Sequence, residues 1–386
     1  MGHNQHLITD PLFNYIVLEA FEKFRLPKRV APIHLNDIFE MPLEIRKSSA
    51  GFPWSPLFKT RGEVMDDPSA RNSIRWFWHR VKDGEKLNPP DCKVLYRAHL
   101  EDSGSPKIRA VYGYPTTITL GEACFAIPLI EGFKQHKTPL AYGYDMLLGG
   151  ARKLRSEIKG YKNHLCMDYK GFDKTVSSQL IELAFSILLQ NLDFTQYREQ
   201  GTPDLERLVN MFTYIKHYFI QTPMRLYNGE RYKKTAGIPS GSYFTQLVGS
   251  IVNWIITTYS FTKVVGRMPD YLRVFGDDSV LSSNSTIPKY LIAEVIENLG
   301  MMCNLNKTLL TTNVDDVEFL GFKITNGFPQ RKFRKWLELL YNPERPDDSW
   351  DMFASRALGL FYANHGIDSR FSFMCRNVVN HRPFTI

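Results

Sequence analysis

The stretch that most limits how this chain can fold is Phe275-Gly276-Asp277-Asp278-Ser279. Apolar, β-leaning residues flank it: Tyr271, Leu272, Val274 and Phe275 before, Val280 and Leu281 after. The pattern reads as a β-hairpin with two adjacent carboxylates at its tip. Neighbouring carboxylates repel, so a site that keeps both ionised needs a cation, and hard oxygen ligands suit Mg²⁺. The same letters also describe an ordinary Gly-Asp turn, in which Asp is simply a good turn former. The remainder of the chain has to decide between the two.

A second acid stands at a strand end. Asn163-His164-Leu165-Cys166-Met167 is a short apolar strand running into Asp168. Asp173, five residues on, is expected to open a helix whose apolar face is Leu180, Leu183, Ala184, Ile187 and Leu188. Asp173 also reads as a plain N-cap. Asp168 falls where sites tend to be built, in the loop after a strand. Further along, Gly237-Ile238-Pro239-Ser240-Gly241-Ser242 feeds a helix from about Tyr243, with Leu247, Val248, Ile251, Val252, Ile255 and Ile256 on one face. A Gly/Ser loop entering a helix is a cradle for anionic or hydroxyl groups, and Ser240, Thr245, Ser250 and Asn253 could all project from it; incidental hydroxyls at a helix cap fit as well.

The flanking segments are basic and aromatic. A helix is expected around Tyr15 to Phe24, and Lys23, Arg25, Lys28 and Arg29 form a solvated face. Arg46 to Trp54 (RKSSAGFPW) describes a tight, exposed loop able to hold phosphate on backbone amides or to stack a base on Phe52 or Trp54; a plain structural turn is the commoner explanation for such a sequence. Lys93 to Arg97 and Lys107 to Tyr112 read as two strands around an Asp102-Ser103-Gly104-Ser105-Pro106 turn, with Lys107 and Arg109 on one face. Residues 201 to 235 read as a connection or small lobe. Lys289 to Leu299 reads as a helix ended by Gly300, Val317 to Ile324 as another hairpin, and the chain from Arg331 as helical.

Composition sets the outer limits. At 386 residues the chain makes two to three domains or one large multi-lobed one, and 43% hydrophobic content supplies a core. A net charge of +8 suits a soluble basic protein or a polyanionic partner such as nucleic acid. Five scattered cysteines without a CxxC pair argue against a disulfide framework and a zinc site, and fit a reducing compartment. The N-terminus shows no signal-peptide core, His6 breaks a myristoylation pattern, and no apolar run is long enough to span a bilayer.

The ordered set is more specific than its parts: a strand-end Asp, a Ser-Gly loop entering a helix, a two-Asp hairpin, a Lys, a small hairpin. It resembles the palm of a viral RNA-dependent RNA polymerase over roughly Arg46 to Gly366. Lys47 to Trp54, Gly237 to Gln246, Phe275 to Ser279 and Ser355 to Gly366 look most like the polymerases of partitiviruses, with picobirnavirus-like and picornavirus-like enzymes more distant. The resemblance implies an α+β cupped right hand with an antiparallel palm sheet backed by helices. Residues 1–160 would form an N-terminal segment and fingers, 161–194 and 236–330 the palm, 195–235 a fingers insertion and 331–386 the thumb.

It also implies roles. Asp168, Asp277 and Asp278 would hold two Mg²⁺ ions, with Mn²⁺ as an alternative, for nucleotidyl transfer from NTPs to an RNA 3′ end. Lys307 would protonate the leaving pyrophosphate, and Lys107 and Arg109 would grip the triphosphate. Asp173, Ser240 and Thr245 would surround the ribose 2′-hydroxyl. Gly51 and Pro53 would line the template entry, and residues around Phe319 and Gly321 would support the primer end. RNA template and product, NTPs and a capsid protein would be the partners, without a membrane, in the virion and host cytoplasm. A reverse transcriptase would be expected to carry an aromatic in place of Asp173 and an aromatic-x-Asp-Asp hairpin; this chain has Gly276. A non-catalytic RNA-binding protein remains the third class, carried by charge and aromatics alone. One departure from the pattern is Gly249, where many positive-strand virus polymerases have Asn; a mid-helix Gly costs about 1 kcal/mol against Ala, and close approach is its expected purpose.

Overall fold

The computed structural model describes residues 8–100, 106–343 and 346–381; for 97–100 and 106–109 it describes the backbone course alone. Asp10 accepts a hydrogen bond from Leu12 N, and Pro11 pre-sets the first turn of α1 (Pro11–Lys23), close to where a helix was expected. A second short helix, α2 (Leu35–Glu40), shares that basic segment. After α3 (Arg61–Asp66), Asp67 caps α4 (Pro68–Lys82) by accepting from Ala70 N. β1 (Cys92–Leu100) and β2 (Pro106–Gly113) pair antiparallel, as the sequence suggested; the 101–105 turn lies outside the described residues. α5 (Thr116–Gln135) is buried almost all round, and its Gly121 leaves room for the Trp78 ring of α4. α6 (Gly150–Ile158) leads to the central strands.

β3 (Asn163–Met167) forms as expected, but the chain after it folds into two helices instead of one. α7 (Phe172–Thr175) stops at an extended Val176, and Ser177 caps α8 (Ser178–Leu189) by accepting from Leu180 N. The break has a tertiary cause: the carbonyls of Asp173 and Val176 accept hydrogen bonds from Ile238 N and Gly237 N of a distant loop. Residues 201–235 are more than a connection. They hold α9 (Leu205–Ile220), whose Leu208, Met211, Phe212, Ile215 and Phe219 are core residues at helical spacing. β4 (Pro223–Arg225) and β5 (Arg231–Lys233) then extend the first sheet in the order β2-β1-β4-β5.

α10 (Thr245–Val265) is the buried axis of the molecule, and α1 lies along it through an edge-on Phe13–Tyr259 pair and an Asp10–Lys263 bridge of 2.8 Å. Then come β6 (Tyr271–Phe275), β7 (Asp278–Ser283), α11 (Lys289–Asn298) and β8 (Leu309–Thr311). The central sheet runs β6-β7-β3-β8, with every pairing antiparallel. Alternation along its strands separates two cores. Leu165, Met167 and Leu281 pack with α8, α10 and α11, whereas Cys166 and Val280 pack with Leu154 and Ile158 of α6. Each such fully buried side chain contributes roughly 1.5–3 kcal/mol.

The second core is completed by β9 (Glu318–Phe319), β10 (Phe322–Thr325) and β11 (Phe328–Gln330), a separate three-stranded sheet where a hairpin was expected. α12 (Phe333–Tyr341), α13 (Trp350–Ala363) and α14 (Ser369–His381) cover it, with Trp336 stacked on Phe371. All five cysteines are free and buried. Among the described residues no helix is long and apolar enough to cross a membrane. The class is α+β.

Candidate active site

Phe275 pairs with Asp278, so the β6–β7 hairpin closes through the two-residue loop Gly276-Asp277. Gly276 has φ +61, the sign a tight hairpin needs at its first loop position, and a Cβ there would stand 2.6 Å from Gln246 Oε1. The neighbouring strand pairs Met167 with Ser279, and continuing that register by one residue sets Asp168 beside Asp278. Acids more than a hundred residues apart thus meet at one end of one sheet. Asp277 is exposed; Asp168 and Asp278 are half-buried. Burial, then the charge of Asp277, then that of Asp168, push the Asp278 carboxyl up from 3.8 to about 7. The three carboxylates do not form a ready-made cage: among the described residues no group of three His, Cys, Asp or Glu side chains is drawn together as metal ligands.

The turn is held from behind. Asn253, fully buried on α10, donates from Nδ2 to Gly276 O at 3.0 Å and to Asp278 O at 3.3 Å. Its Oδ1 accepts from Thr257 at 2.9 Å, and Ser250 Oγ accepts from Gly276 N at 2.7 Å. Ser250 and Asn253 therefore serve the hairpin and do not project toward a ligand. Gly249 faces the same turn, yet a Cβ there would lie 3.5 Å from Gly276 Cα, an ordinary contact. The expected steric need for this glycine is not met by the geometry. Asp168 is gripped by the Asn304–Thr308 turn: Asn304 N donates to Asp168 O at 2.7 Å, and Asp168 N donates to Thr308 Oγ1 at 3.2 Å. That turn also carries Lys307, which is exposed.

The Gly237–Ser242 loop lies against the short α7. Ile238 N donates to Asp173 O at 2.6 Å, which joins Asp173 to the loop bearing Ser240 and Thr245. Ser240 is exposed, and Thr245 Oγ1, half-buried, bonds to Pro239 O at 2.6 Å and Ser242 O at 2.9 Å. Asp173 does not cap a helix; Gly171 occupies that position and Ser177 caps the longer helix. Three further residues belong here too, Gln246 at the end of the Gly237–Gln246 stretch and Lys234 and Glu122 from outside any motif. Gln246 lies over Gly276, Lys234 Nζ donates to Gly237 O, and Glu122 accepts from Ser242 Oγ and Tyr243 N. For Glu122 the signal was there to be read, as the single charge in the otherwise uncharged stretch 116–129.

Of the other expected residues, Lys107 and Arg109 fall on β2, and their side chains lie outside the described residues. Gly51 is not in an exposed loop. It is buried at φ +65, and a Cβ would meet Tyr114 O at 2.7 Å, because Ala50 O accepts from Thr116 and ties the loop down beside β2. Pro53 is exposed, whereas Trp54 donates its indole N–H to Thr117 Oγ1 at 2.9 Å and packs inward. Phe52 lies under the Arg225 guanidinium, 5.3 Å from the ring centre. The Phe319 ring is core, 2% exposed, so it acts on its hairpin by packing and not by surface contact. Gly321 is held by Arg331, whose Nε donates to its carbonyl at 2.9 Å.

A family model described as viral RNA-dependent RNA polymerase matches residues 7–356. The RNA-directed RNA polymerase of Cryptosporidium parvum virus 1 (strain KSU-1) is 29% identical over 352 residues, covering 82% of this chain and 62% of that protein. That of Atkinsonella hypoxylon virus (isolate 2H) is 24% identical over 379 residues, covering 86% and 54%. That of White clover cryptic virus 1 is 22% identical over 300 residues, covering 71% and 49%. The chain thus spans between about half and three-fifths of the length of these curated relatives. The crystal structure of the RNA-dependent RNA polymerase of a human picobirnavirus superposes with a TM-score of 0.72 at 15% identity, covering 98% of this chain and 72% of that one, which establishes the right-hand fold.

Proposed function

From the premise that this chain belongs to the viral RNA-dependent RNA polymerase family, we propose that it is an RNA-directed RNA polymerase, extending an RNA 3′ end from NTPs on an RNA template. The observation that carries this is the meeting of Asp168 with Asp277 and Asp278 at one end of the β6-β7-β3-β8 sheet.

The donor set fits divalent cations. Three carboxylate oxygens are hard ligands, and the strained ionisation of Asp278 is relieved by positive charge. Asp168 and Asp277, with Asp278 in support, would hold Mg²⁺, or Mn²⁺ in its place. Such ions, when bound, lower the pKa of the 3′-hydroxyl and neutralise the leaving pyrophosphate. The residues supply the rest. Asn253 and Ser250 fix the turn, so the acids need little reorganisation as substrate arrives. Lys307 would give a proton to pyrophosphate oxygen; its position on the turn that grips Asp168 supports this reading. Lys107 and Arg109 take the triphosphate in this scheme. Asp173, Ser240 and Thr245, joined through the Ile238–Asp173 hydrogen bond, offer acceptors and hydroxyls to the ribose 2′-hydroxyl. Gly51 and Pro53 border the template path. RNA strands, NTPs and a capsid protein are the partners of this scheme, in the virion and host cytoplasm.

Purified protein given an RNA template, four NTPs and Mg²⁺ should yield labelled product, and Asp277→Ala should reduce it at least about a thousandfold. Product that survives Asp277→Ala unchanged overturns the assignment. A preference for dNTPs over NTPs points instead to a reverse transcriptase. Mg²⁺-independent RNA binding with no synthesis under any condition points to a binding protein.

A further inference from the structure

We propose that Glu122 is a positioning residue for sugar selection, holding one end of the Gly237–Ser242 loop while Lys234 holds the other. This rests on the polymerase reading and adds to it a residue from outside the palm, on α5.

The geometry is a two-ended clamp. Glu122 is fully buried. Its Oε1 accepts from Ser242 Oγ at 2.8 Å, and its Oε2 accepts from Tyr243 N at 2.9 Å. Ser242 Oγ in turn accepts from Phe244 N at 3.0 Å, so the carboxylate orders three successive residues at the entry to α10. At the other end the Lys234 ammonium, buried with the Phe219 ring 5.6 Å away, donates to Gly237 O. Between the clamps, Thr245 Oγ1 bonds to the carbonyls of Pro239 and Ser242, and Ile238 N bonds to Asp173 O. The three groups proposed to read the 2′-hydroxyl therefore keep their spacing only while the loop is held.

A buried carboxylate is costly, and here two of its lone pairs are used on neutral donors. Arg61, Tyr114, Tyr218, Cys92 and Tyr243 are the other titratable groups facing it. Burial raises the Glu122 carboxyl from 4.5 to about 7, against the pull of its bonds to Ser242 and Tyr243, of the Tyr114 hydroxyl and of Arg61. Burial alone lowers the Lys234 amine from 10.5 to about 7; a neutral amine still donates to Gly237 O, so that end survives the loss of charge. A protonated Glu122 has only one good acceptor for two donors, so the loop end loosens as pH falls through about 7.

The test compares the full chain as wild type, Glu122→Gln and Ser242→Ala. kcat/KM is measured for NTP and for dNTP between pH 6 and 8, and the ratio cancels the chemistry common to both. Wild type should lose NTP preference on going below pH 7. Glu122→Gln, whose amide offers one donor a clash, should lose about tenfold in preference through a raised KM for NTP, with a flat pH response. Ser242→Ala keeps the carboxylate and removes one donor; it should shift preference in the same direction and covers the case that Glu122→Gln does not fold. A folded Glu122→Gln with wild-type preference and pH response overturns the proposal, as does an unchanged Ser242→Ala. If wild type makes no product from either nucleotide, the polymerase reading itself has failed, an outcome distinct from the other two.

Discussion

Asp278→Asn offers a quantitative check, because it should stabilise the protein while destroying its use. In the metal-free protein Asp278 carries a carboxyl raised from 3.8 to about 7 by burial and by Asp277 and Asp168. Between those values the folded state binds a proton that the unfolded state has released. Stability from this group is therefore fully present below about pH 4 and is lost as pH rises through about 7. The gap corresponds to up to about 4 kcal/mol at 1.36 kcal/mol per pH unit, and partial exposure at the site brings the working figure to about 2–4 kcal/mol. The amide is nearly isosteric and cannot ionise. The Asn253 contact is made to the Asp278 carbonyl and is retained. For a chain this long, unfolding entropy of roughly 0.8 kcal/mol/K makes each kcal/mol worth about 1 °C in Tm. In EDTA at pH 8, Asp278→Asn should melt about 2–5 °C above wild type, and at pH 4 the two should coincide. Millimolar Mg²⁺ should raise wild-type Tm at pH 8 and raise that of Asp278→Asn less, while RNA synthesis by the variant falls. Scanning fluorimetry across pH, with and without Mg²⁺, gives all four numbers. Equal melting of the two proteins at pH 8 in EDTA would refute the claim that the three acids share one field.

Other substitutions separate neighbouring roles. Gly249→Ala should be tolerated and gain up to about 1 kcal/mol in a denaturant midpoint, because its Cβ meets Gly276 Cα at an ordinary 3.5 Å; Gly276→Ala, strained at φ +61 and against Gln246, should lose both stability and RNA synthesis. Asn253→Ala removes the Nδ2 donor from both hairpin carbonyls and should cost about 1–3 kcal/mol by urea unfolding, with RNA synthesis reduced by more than the lost stability explains. Gly121→Ala would drive a Cβ into the Trp78 ring, so it should cost about 1–3 kcal/mol or more from overpacking, seen as lower Tm.

The chain's local order carried a good deal. The hairpin around Asp277, the strand ending at Asp168 and the helix stopped by Gly300 each rest on contiguous signals: β-branched and aromatic runs, a glycine with positive φ, an apolar helical face. The order of those signals along the chain pointed to the family. What local order could not carry depends on partners distant in sequence. α7 breaks from α8 because Gly237 and Ile238 take the carbonyls of Val176 and Asp173. α9 reads as polar and aromatic until its Phe212 and Phe219 are seen packed on Phe185. The hairpin expected at Val317 to Ile324 has a third strand, and the Phe319 ring lies in the second core, which its spacing did not show. Gly51 looked exposed until Thr116 fastened its loop. Glu122 has no motif at all; its meaning comes from the two donors that reach it from residues 242 and 243. The amino-acid sequence by itself settled which acids exist and which local shapes present them, since those depend on torsional preference and side-chain periodicity. Only the tertiary structure decided that Asp168 stands beside Asp278, that Asn253 holds their turn, and that a glutamate from another helix anchors the neighbouring loop. Hydrogen bonds and charge interactions act through distance in space, which no spacing along the chain encodes.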